Sequence, residues 1–303
     1  GQAWVDDASA GQEASWPAAA GLLSRMLRQA LEPLGYDFGA AISAAQKADR
    51  WQHASEALEV LRVACAGAES QDCQEASTSR GGPGGREPPG GVRVLARSRG
   101  VIAVLKPPGV TTEQLLGGVQ RLVGPVVSVS RLDAMTSGAL VAALGGEASA
   151  GTQVVRAQFA GRLTSKHYLC LCSGASLGPL GARAEIRERL LTEDDGGGSR
   201  ASASPLGREA RTRLRVLAAF AAPGASPEHP GDRVLSLLLV KPVTGRTHQI
   251  RAHLAIRGRP LVSDPIYGAS SFGQDRRWCP RLFLHCRRVR LRDLDGRPFV
   301  ATA

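Results

Sequence analysis

The sequence contains little lysine and few aromatic residues. Only Lys47, Lys106, Lys166 and Lys241 are lysines among the 38 basic side chains, and aromatic residues make up 4% of the chain. Because arginine is so common here, a single arginine is a poor marker of function. The few lysines are more informative, and three of them lie inside or beside the motifs described below.

Metal-binding cysteine patterns are also missing. The six cysteines include no C-x-x-C pair and have no histidines beside them at zinc spacing, which argues against a structural zinc site. The pattern is typical of reduced, buried thiols in an intracellular protein. The sequence does not choose between an organelle (chloroplast or mitochondrion) and the cytoplasm or nucleus.

Long hydrophobic runs are absent as well. Residues 234–240, which are about the longest apolar run, have the length of a strand, far below the ~18 residues that a membrane helix needs. The sequence therefore predicts no membrane span. What is abundant is positive charge, since the net charge of +11 favours an anionic partner, nucleic acid before an anionic membrane.

Composition changes along the chain and predicts its organisation. Residues 1–20 lack periodicity and are predicted to be disordered, whereas residues 21–75 carry apolar side chains at helical spacing. A Gly/Pro-rich stretch at residues 76–92 is typical of a flexible linker. Residues 93–303 mix short β-rich runs with helical patterns, without strict βαβ order. This predicts an α+β domain with a mixed, mostly antiparallel sheet and flanking helices, preceded by the short helical segment.

Within residues 93–303 the patterns predict individual elements. Helices are predicted at residues 152–160 and 247–256, and residues 192–205, which are rich in Gly and Ser, are predicted to be a loop insertion. Strands are predicted at residues 101–105, 126–129, 140–144, 167–172, 211–217, 234–240, 282–285 and 287–291.

The first motif that could carry chemistry follows the strand at residues 126–129. It is the run RLDAMTSG, in which Arg131 and Asp133 stand on a tight loop before a Thr-Ser-Gly turn. Loops at strand ends are places where a rigid scaffold presents reactive groups. Taken alone, Asp133 is more typical of a turn former than of a catalyst.

The second motif is KPVTGRTHQIRAH at residues 241–253. It places Arg246, His248, Arg251 and His253 where a helix begins just after a buried strand. A helix start with arginines suits a phosphate or a carboxylate, although a solvated basic helix start fits the same pattern. The two histidines are five residues apart, which is a poor spacing for two metal ligands on one helical face.

Two further motifs are weak by themselves. Lys166 and Tyr168 lie at the start of a predicted strand, where a tyrosine usually serves packing. Residues 258–268, GRPLVSDPIYG, are rich in turn formers, and a purely structural role explains them.

Taken in order, these four motifs resemble the RluA-type family of RNA pseudouridine synthases. The matching pieces are SRLDAMTSG, KHY, TGRTHQIRAHL and SDPIYG, together with the KPPG turn at Lys106 and LFLHC at residues 282–286. The resemblance covers roughly residues 93–300, and TGRTHQIR is its most specific part. The sequence departs from the family at Ser130, where histidine is usual, and at Ser263, where glycine is usual.

The resemblance implies that uridine in RNA is isomerised to pseudouridine without a cofactor or a metal. By motif position the essential carboxylate is Asp133, acting as a nucleophile or as a base on the sugar. Arg251 is then its arginine partner, which keeps the carboxylate charged and oriented. Tyr168 matches the tyrosine that stacks on the target base and moves a proton.

The resemblance also implies contacts with RNA. The target uridine has to be flipped out of a folded RNA, and Arg131 matches the residue that fills the vacated space. Arg246, His248 and Lys166 are the further candidates for RNA binding. We expect RNA as the partner (ribosomal, transfer or messenger), no membrane, and a monomer.

Two alternatives stay open at this point. One is a catalytically silent RNA-binding protein that retains the fold, which Ser130 and the unusual N-terminal part favour. The other follows from residues 31–61, which resemble a single pentatricopeptide repeat from RNA-binding helical arrays. In that case the chain would be an editing or processing factor with a structural C-terminal part.

Overall fold

The computed structural model describes residues 91–303 except for 175–176, 195–197 and 222–233. The predicted disordered segment 1–20, the helical segment 21–75 with its repeat-like stretch, and the linker up to residue 90 lie outside the described residues. In the part of the chain that is described, no helix is long and apolar enough to cross a membrane.

The described elements form one large sheet, a small hairpin and four helices. The strands are β1 (Arg93–Ser98), β2 (Val101–Lys106), β3 (Val126–Ser128), β4 (Ser137–Leu144), β5 (Ser165–Ser173), β6 (Arg183–Ile186), β7 (Leu190–Asp194), β8 (Ser199–Ala203), β9 (Thr212–Ala221), β10 (Val234–Pro242), β11 (Leu284–Arg292) and β12 (Pro298–Thr302). The helices are α1 (Thr112–Val123), α2 (Ala150–Ala160), α3 (Gln249–Ile256) and α4 (Ala269–Asp275).

The large sheet runs in the order β1-β2-β4-β11-β5-β10-β9-β6, with β12 added beside β11 and β3 beside β4. Among the described strands only the β4–β11 pair is parallel, and all the others are antiparallel. The sequence-based prediction of an α+β fold with a mixed, mostly antiparallel sheet is confirmed. β2 and β4 are buried along nearly their whole length, which explains their continuous apolar runs.

The two faces of the sheet pack differently. Tyr168, Cys170 and Val240 lie on one face, here called the front face, and belong to the main core together with Leu254 of α3. Side chains alternate between faces along a strand, so the neighbouring Leu171 belongs to the other face, here called the reverse face. There it packs in a smaller cluster with Leu235, Val262 and Cys279.

Two predictions about local structure need correction, and helix α1 was missed. Residues 192–205 are not a loop insertion, because most of them form the β7–β8 hairpin, whose strands are too polar to show a hydrophobic pattern. The two predicted strands at residues 282–285 and 287–291 form the single strand β11, interrupted only by a register shift between Cys286 and Arg288. Helix α1 was not predicted, although Thr111 and Gln114 form a capping box that the sequence displays.

Candidate active site

A cleft of about 890 Å³ opens on the front face of the sheet, within the usual size of a small-molecule or nucleotide site. Its walls come from the loop after β3, the start of β5, and the loop that leads from β10 into α3. Three of the four motifs singled out in the sequence therefore meet at one place, and the fourth, residues 258–268, contributes no residue to its lining. Asp133, Lys166, Tyr168 and Arg251 all line this cleft.

The loop that carries Asp133 is held by hydrogen bonds on both sides of that residue. The Nζ of Lys106 donates to the carbonyl oxygens of Ala134 and Thr136, each at 2.8 Å. On the other side, the hydroxyl of Thr112 donates to the carbonyl oxygen of Leu132 at 3.2 Å. This support leaves the Asp133 side chain 32% exposed at the cleft.

Lys106 is a lysine without a solvent-exposed surface. Burial lowers the pKa of its ammonium group to about 8, and the charge of Asp133 opposes that shift. A third carbonyl oxygen, that of Pro107, accepts from Nζ at 3.1 Å. Because an ammonium group has three donors, the charged form of Lys106 satisfies all three carbonyls under the Asp133 loop.

Arg251 is buried in the wall of the cleft and contacts two carboxylates. Its Nε and Nη2 donate to the Oδ2 and Oδ1 of Asp264, both at 2.8 Å. Its Nη1 lies 3.7 Å from the Oδ2 of Asp133. The guanidinium carbon also lies 5.3 Å from the ring centroid of Tyr267, so ion pairs and an aromatic ring fix Arg251 from several sides.

Asp264 is fully buried and stays ionised. Burial raises the pKa of its carboxyl group, but the hydrogen bonds and the charge of Arg251 outweigh that effect and hold the pKa below its usual value. The backbone N–H groups of Ile266 and Tyr267 donate to its Oδ1 at 2.9 and 3.0 Å. The carboxylate therefore anchors Arg251 to the turn that follows.

His248 lies between Asp133 and Tyr267. Its Nε2 is 3.9 Å from the Oδ2 of Asp133, and its Nδ1 is 3.4 Å from the hydroxyl of Tyr267. The backbone of His248 is left-handed, with φ at 51°, which is uncommon for a residue other than glycine. Burial first, and then the charge of Arg251, lower the pKa of His248, so the ring is neutral at pH 7.

Tyr168 lies on β5 on the front face and is 7% exposed. Burial raises the pKa of its hydroxyl group well above the usual value, and the neighbouring Cys286 and Asp133 act in the same direction. The hydroxyl is therefore protonated at neutral pH. An aromatic face with a protonated hydroxyl group can both pack against a base and donate a hydrogen bond.

The residues predicted to bind RNA lie at different depths of the cleft. Arg131 is at the rim, with a 79% exposed side chain that reaches Glu113 at 3.5 Å. The Nε of Arg246 donates to the carbonyl oxygen of Glu209 at 3.0 Å. Burial, then the charges of Arg162 and Arg208, lower the pKa of Arg246, and Arg162 lines the cleft as well.

Lys166 and His248 also line the cleft and are less exposed than Arg131. The Nζ of Lys166 is 4.9 Å from the ring centroid of Phe159, and burial lowers its pKa. His248 has a side chain that is only 13% exposed and faces Asp133. Both residues therefore stand beside the pocket in which Asp133 and Tyr168 lie.

Sequence reasoning missed three residues that shape the site. Asp264 and Tyr267 were interpreted as parts of a structural turn, and Lys106 was noted only for its KPPG turn. The family motif SDPIYG was the available signal for the first two. A lysine at the end of a strand that is buried along nearly its whole length, in a chain with only four lysines, was the signal for Lys106.

The two departures from the family pattern have structural explanations. The hydroxyl of Ser130 donates to the carbonyl oxygen of Val141 at 3.1 Å, which ties the loop to β4. Ser263 has φ at 56°, a left-handed conformation that glycine adopts freely. Its hydroxyl donates to the carbonyl oxygen of Cys279 at 2.6 Å, a contact that glycine cannot make.

Among the described residues, no group of three or more His, Cys, Asp or Glu side chains is arranged to hold a metal ion. The four cysteines at positions 170, 172, 279 and 286 are free and buried.

Comparison with known proteins identifies the family. Residues 101–256, about half of the chain, match the family model described as RNA pseudouridylate synthase. The dual-specificity RNA pseudouridine synthase RluA of Escherichia coli O157:H7 is 27% identical over 201 residues, which cover 63% of this chain and 83% of that protein. RNA pseudouridine synthase 7 of Oryza sativa subsp. japonica is 30% identical over 207 residues, 61% of this chain and about half (48%) of the relative's length.

Solved structures agree with the sequence relatives. Human RNA Pseudouridylate Synthase Domain Containing 1 superposes with a TM-score of 0.57 at 28% identity, covering 72% of this chain and 86% of that one. The human domain-containing 4 protein, at 21% identity and a TM-score of 0.51, shares the fold. The chain belongs to the RNA pseudouridylate synthase family and, within it, to the RluA type.

Proposed function

We propose that the cleft isomerises a flipped-out uridine of a structured RNA to pseudouridine, without a cofactor, and that Asp133 carries the reaction. The single observation that supports this most is the position of Asp133. Its carboxylate lies at the cleft with a buried guanidinium at 3.7 Å, on a loop that is hydrogen-bonded on both sides. Tyr168 faces the same space.

The reaction breaks the bond between C1′ and N1 of the uridine, turns the uracil, and forms a bond between C1′ and C5. The hydrogen on C5 leaves as a proton, and N1 gains a proton, so no oxidant or reductant is needed. Asp133 starts the reaction in one of two ways: by attack on C1′, or by removing the proton on C2′. Both require the carboxylate form of Asp133, and the Nη1 of Arg251 lies 3.7 Å from its Oδ2.

The surroundings of Asp133 suit the remaining steps. The protonated hydroxyl of Tyr168 can donate a hydrogen bond to the uracil base. The neutral ring of His248 can donate one to Asp133 without adding a second positive charge beside Arg251. Arg131 stands at the rim, where it can occupy the gap that a flipped base leaves in the RNA. Arg246, with Arg162 and Arg208 near it, forms a wall for phosphates.

The test is release of tritium from RNA labelled at C5 of uridine, together with mapping of pseudouridine in RNA from the source organism. Wild type should release tritium, and Asp133→Asn should release none above background. The matched control is Asp295→Asn, which removes one carboxylate far from the cleft and should keep the wild-type rate. Equal release by wild type and Asp133→Asn would rule out the proposed role of Asp133.

A catalytically silent RNA-binding protein is the alternative that this test separates. It predicts RNA binding with no tritium release on any RNA. A uridine deuterated at C2′ resolves the chemistry further, because only proton removal from C2′ gives a primary isotope effect on the first step.

A further inference from the structure

A row of basic side chains crosses the reverse face of the sheet, behind the cleft. Arg288 of β11 is the partner of His167 of β5. Lys241 of β10 follows Val240, the partner of Tyr168, and so lies beside His167. Lys241 is in turn the partner of Arg213 of β9. Because paired residues share a face and Tyr168 faces the cleft, this row faces away from it.

A second row lies next to the first one. Leu239 of β10 is the partner of Arg215 of β9, and Arg215 is the partner of Arg183 of β6. Five cations thus share one area, here called the reverse-face basic surface: Arg183, Arg213, Arg215, Lys241 and Arg288. At ~4.8 Å between strands, the four steps from β11 to β6 make it about 19 Å wide.

The charge of this surface is largely uncompensated. Arg213 lies 3.2 Å from Glu185, but within the described part of the chain the other four cations have no carboxylate within ion-pair distance. Burial, then the charges of Lys241 and Arg288, lower the pKa of His167, as expected for a histidine between unpaired cations. Four unpaired cations on one face repel each other, so this arrangement is costly unless an anion is bound.

The overall charge distribution points in the same direction. Residues 91–303 contain 31 basic and 15 acidic side chains, a net charge of 31 − 15 = +16. Residues 1–90 contain 7 basic and 12 acidic side chains, a net charge of 7 − 12 = −5. The positive charge of the chain therefore lies in residues 91–303, which contain both the cleft and the reverse-face basic surface.

We propose that the reverse-face basic surface is a second RNA-binding site, which takes the sugar-phosphate backbone of a duplex segment of the RNA outside the cleft. Guanidinium groups recognise phosphate oxygens through paired N–H donors. The apolar Leu169 and Leu239 between the cations are partly buried, so the surface offers charge and hydrogen bonds rather than an apolar face for lipid. The inference rests on the proposed function in that it takes RNA as the substrate.

The experiment measures binding of the full chain to a labelled RNA duplex of about 20 base pairs that contains no unpaired uridine. The test variant is Arg215→Gln/Lys241→Gln/Arg288→Gln. The control is Arg93→Gln/Arg97→Gln/Arg121→Gln, which removes the same charge from exposed positions on β1 and α1 at the other end of the sheet. Thermal unfolding checks that both variants fold.

Each phosphate contact contributes roughly 0.7–0.9 to the slope of log affinity against log salt. The test variant should therefore lower that slope by about 2 and weaken duplex binding at least about tenfold, while the control changes it less than about twofold. If the triple variant unfolds, single Arg215→Gln and Arg288→Gln should each lower the slope by slightly less than 1. A wild-type slope in the test variant, or an equal loss in the control, would overturn the proposal.

Further measurements test whether something other than RNA occupies the surface, and keep this inference separate from the proposed function. If the test variant lost binding to phosphatidylserine–phosphatidylcholine vesicles but kept duplex binding, the surface would serve a membrane and the RNA proposal would fail. If residues 1–90 cover the surface, duplex binding will not depend on it, which is also a failure. Duplex binding is scored in the Asp133→Asn background as well, so its outcome does not depend on isomerisation.

Discussion

Arg251 is held in place by Asp264 rather than by Asp133, the carboxylate at the cleft. Two hydrogen bonds of 2.8 Å join Arg251 to Asp264 inside the protein, whereas 3.7 Å separates it from Asp133 at the cleft. The buried pair fixes the guanidinium before any RNA binds. Asp133 therefore has a positive charge beside it while its side chain stays exposed at the cleft, which is the arrangement that the proposed catalysis by a preorganised site requires.

Asp264→Asn should therefore destabilise the protein and impair the reaction together. It leaves Arg251 as a buried charge without its counterion, which costs about 3–5 kcal/mol in unfolding free energy. The loosened guanidinium should pair more closely with Asp133, and isomerisation should fall at least about tenfold. Urea unfolding gives the first quantity and tritium release from labelled RNA gives the second.

The double variant Arg251→Met/Asp264→Leu is the control for this prediction. Replacing both charges by apolar side chains of similar size removes the uncompensated charge and should restore most of the stability. Isomerisation should stay lost, because Asp133 then has no cation beside it. If Asp264→Asn proved as stable as wild type, the buried pair would not be what holds Arg251.

Lys106 supports the Asp133 loop through hydrogen bonds to its backbone. Replacing Lys106 should therefore change both the stability and the turnover of the protein. Lys106→Met leaves carbonyl oxygens of Ala134 and Thr136 without a donor, which we expect to cost about 1–3 kcal/mol at pH 7. The turnover of the variant should fall more than its affinity for RNA, because the loop still forms part of the cleft but positions the carboxylate less well.

The pH dependence gives an independent check on Lys106. Its pKa in the folded protein is about 8, below the ordinary 10.5, so between these values the unfolded chain binds more protons than the folded one. Stability from this group is then gained as pH rises. The stability of wild type relative to Lys106→Met should increase by about 1 kcal/mol from pH 7 to pH 9. A difference that is constant or shrinks would contradict the buried position of this amine.

Substitutions at Ser263 can separate the effect of its left-handed backbone on stability from the effect of its side-chain hydrogen bond. Ser263→Gly relieves about 1–2 kcal/mol of left-handed strain but loses the hydrogen bond to Cys279, so its stability should lie within about 1 kcal/mol of wild type. Ser263→Ala keeps the strain, loses the bond and leaves the carbonyl of Cys279 without its donor, at a cost of about 1–3 kcal/mol. Thermal unfolding should rank the glycine variant above the alanine variant. The reverse order would show that the strain at this position is negligible.

The sequence predicted best those elements whose residues follow one simple rule. Residues 101–105 and 234–240 were predicted as strands from their apolar runs. They form β2 and β10, which lie inside the sheet and are therefore apolar along most of their length. The β7–β8 hairpin was missed because its pairing is made by the backbone of polar residues. The Arg251–Asp264 pair joins a helix start to a turn thirteen residues later, and neither local pattern indicates the other.

We expect the hydroxyl of Tyr168 to contribute to the rate of isomerisation and its ring to contribute to binding of the uridine. Burial and its neighbours raise the pKa of the hydroxyl well above the usual value, so it remains protonated from pH 6 to 9 and acts as a donor rather than as a base. Tyr168→Phe keeps the ring. It should bind RNA within about threefold of wild type and isomerise at least about a hundredfold more slowly, as expected for loss of a proton-transfer group.

The matched variant for Tyr168 is Tyr168→Leu, which also removes the aromatic face. It should weaken binding of the flipped uridine by about 1–3 kcal/mol, the contribution of a base stacked on a ring. Single-turnover tritium release between pH 6 and 9, with binding measured in parallel, distinguishes the two variants. If Tyr168→Phe reacted at the wild-type rate, the hydroxyl would take no part in moving a proton. The ring alone would then explain why a tyrosine stands on the front face of β5, beside Asp133.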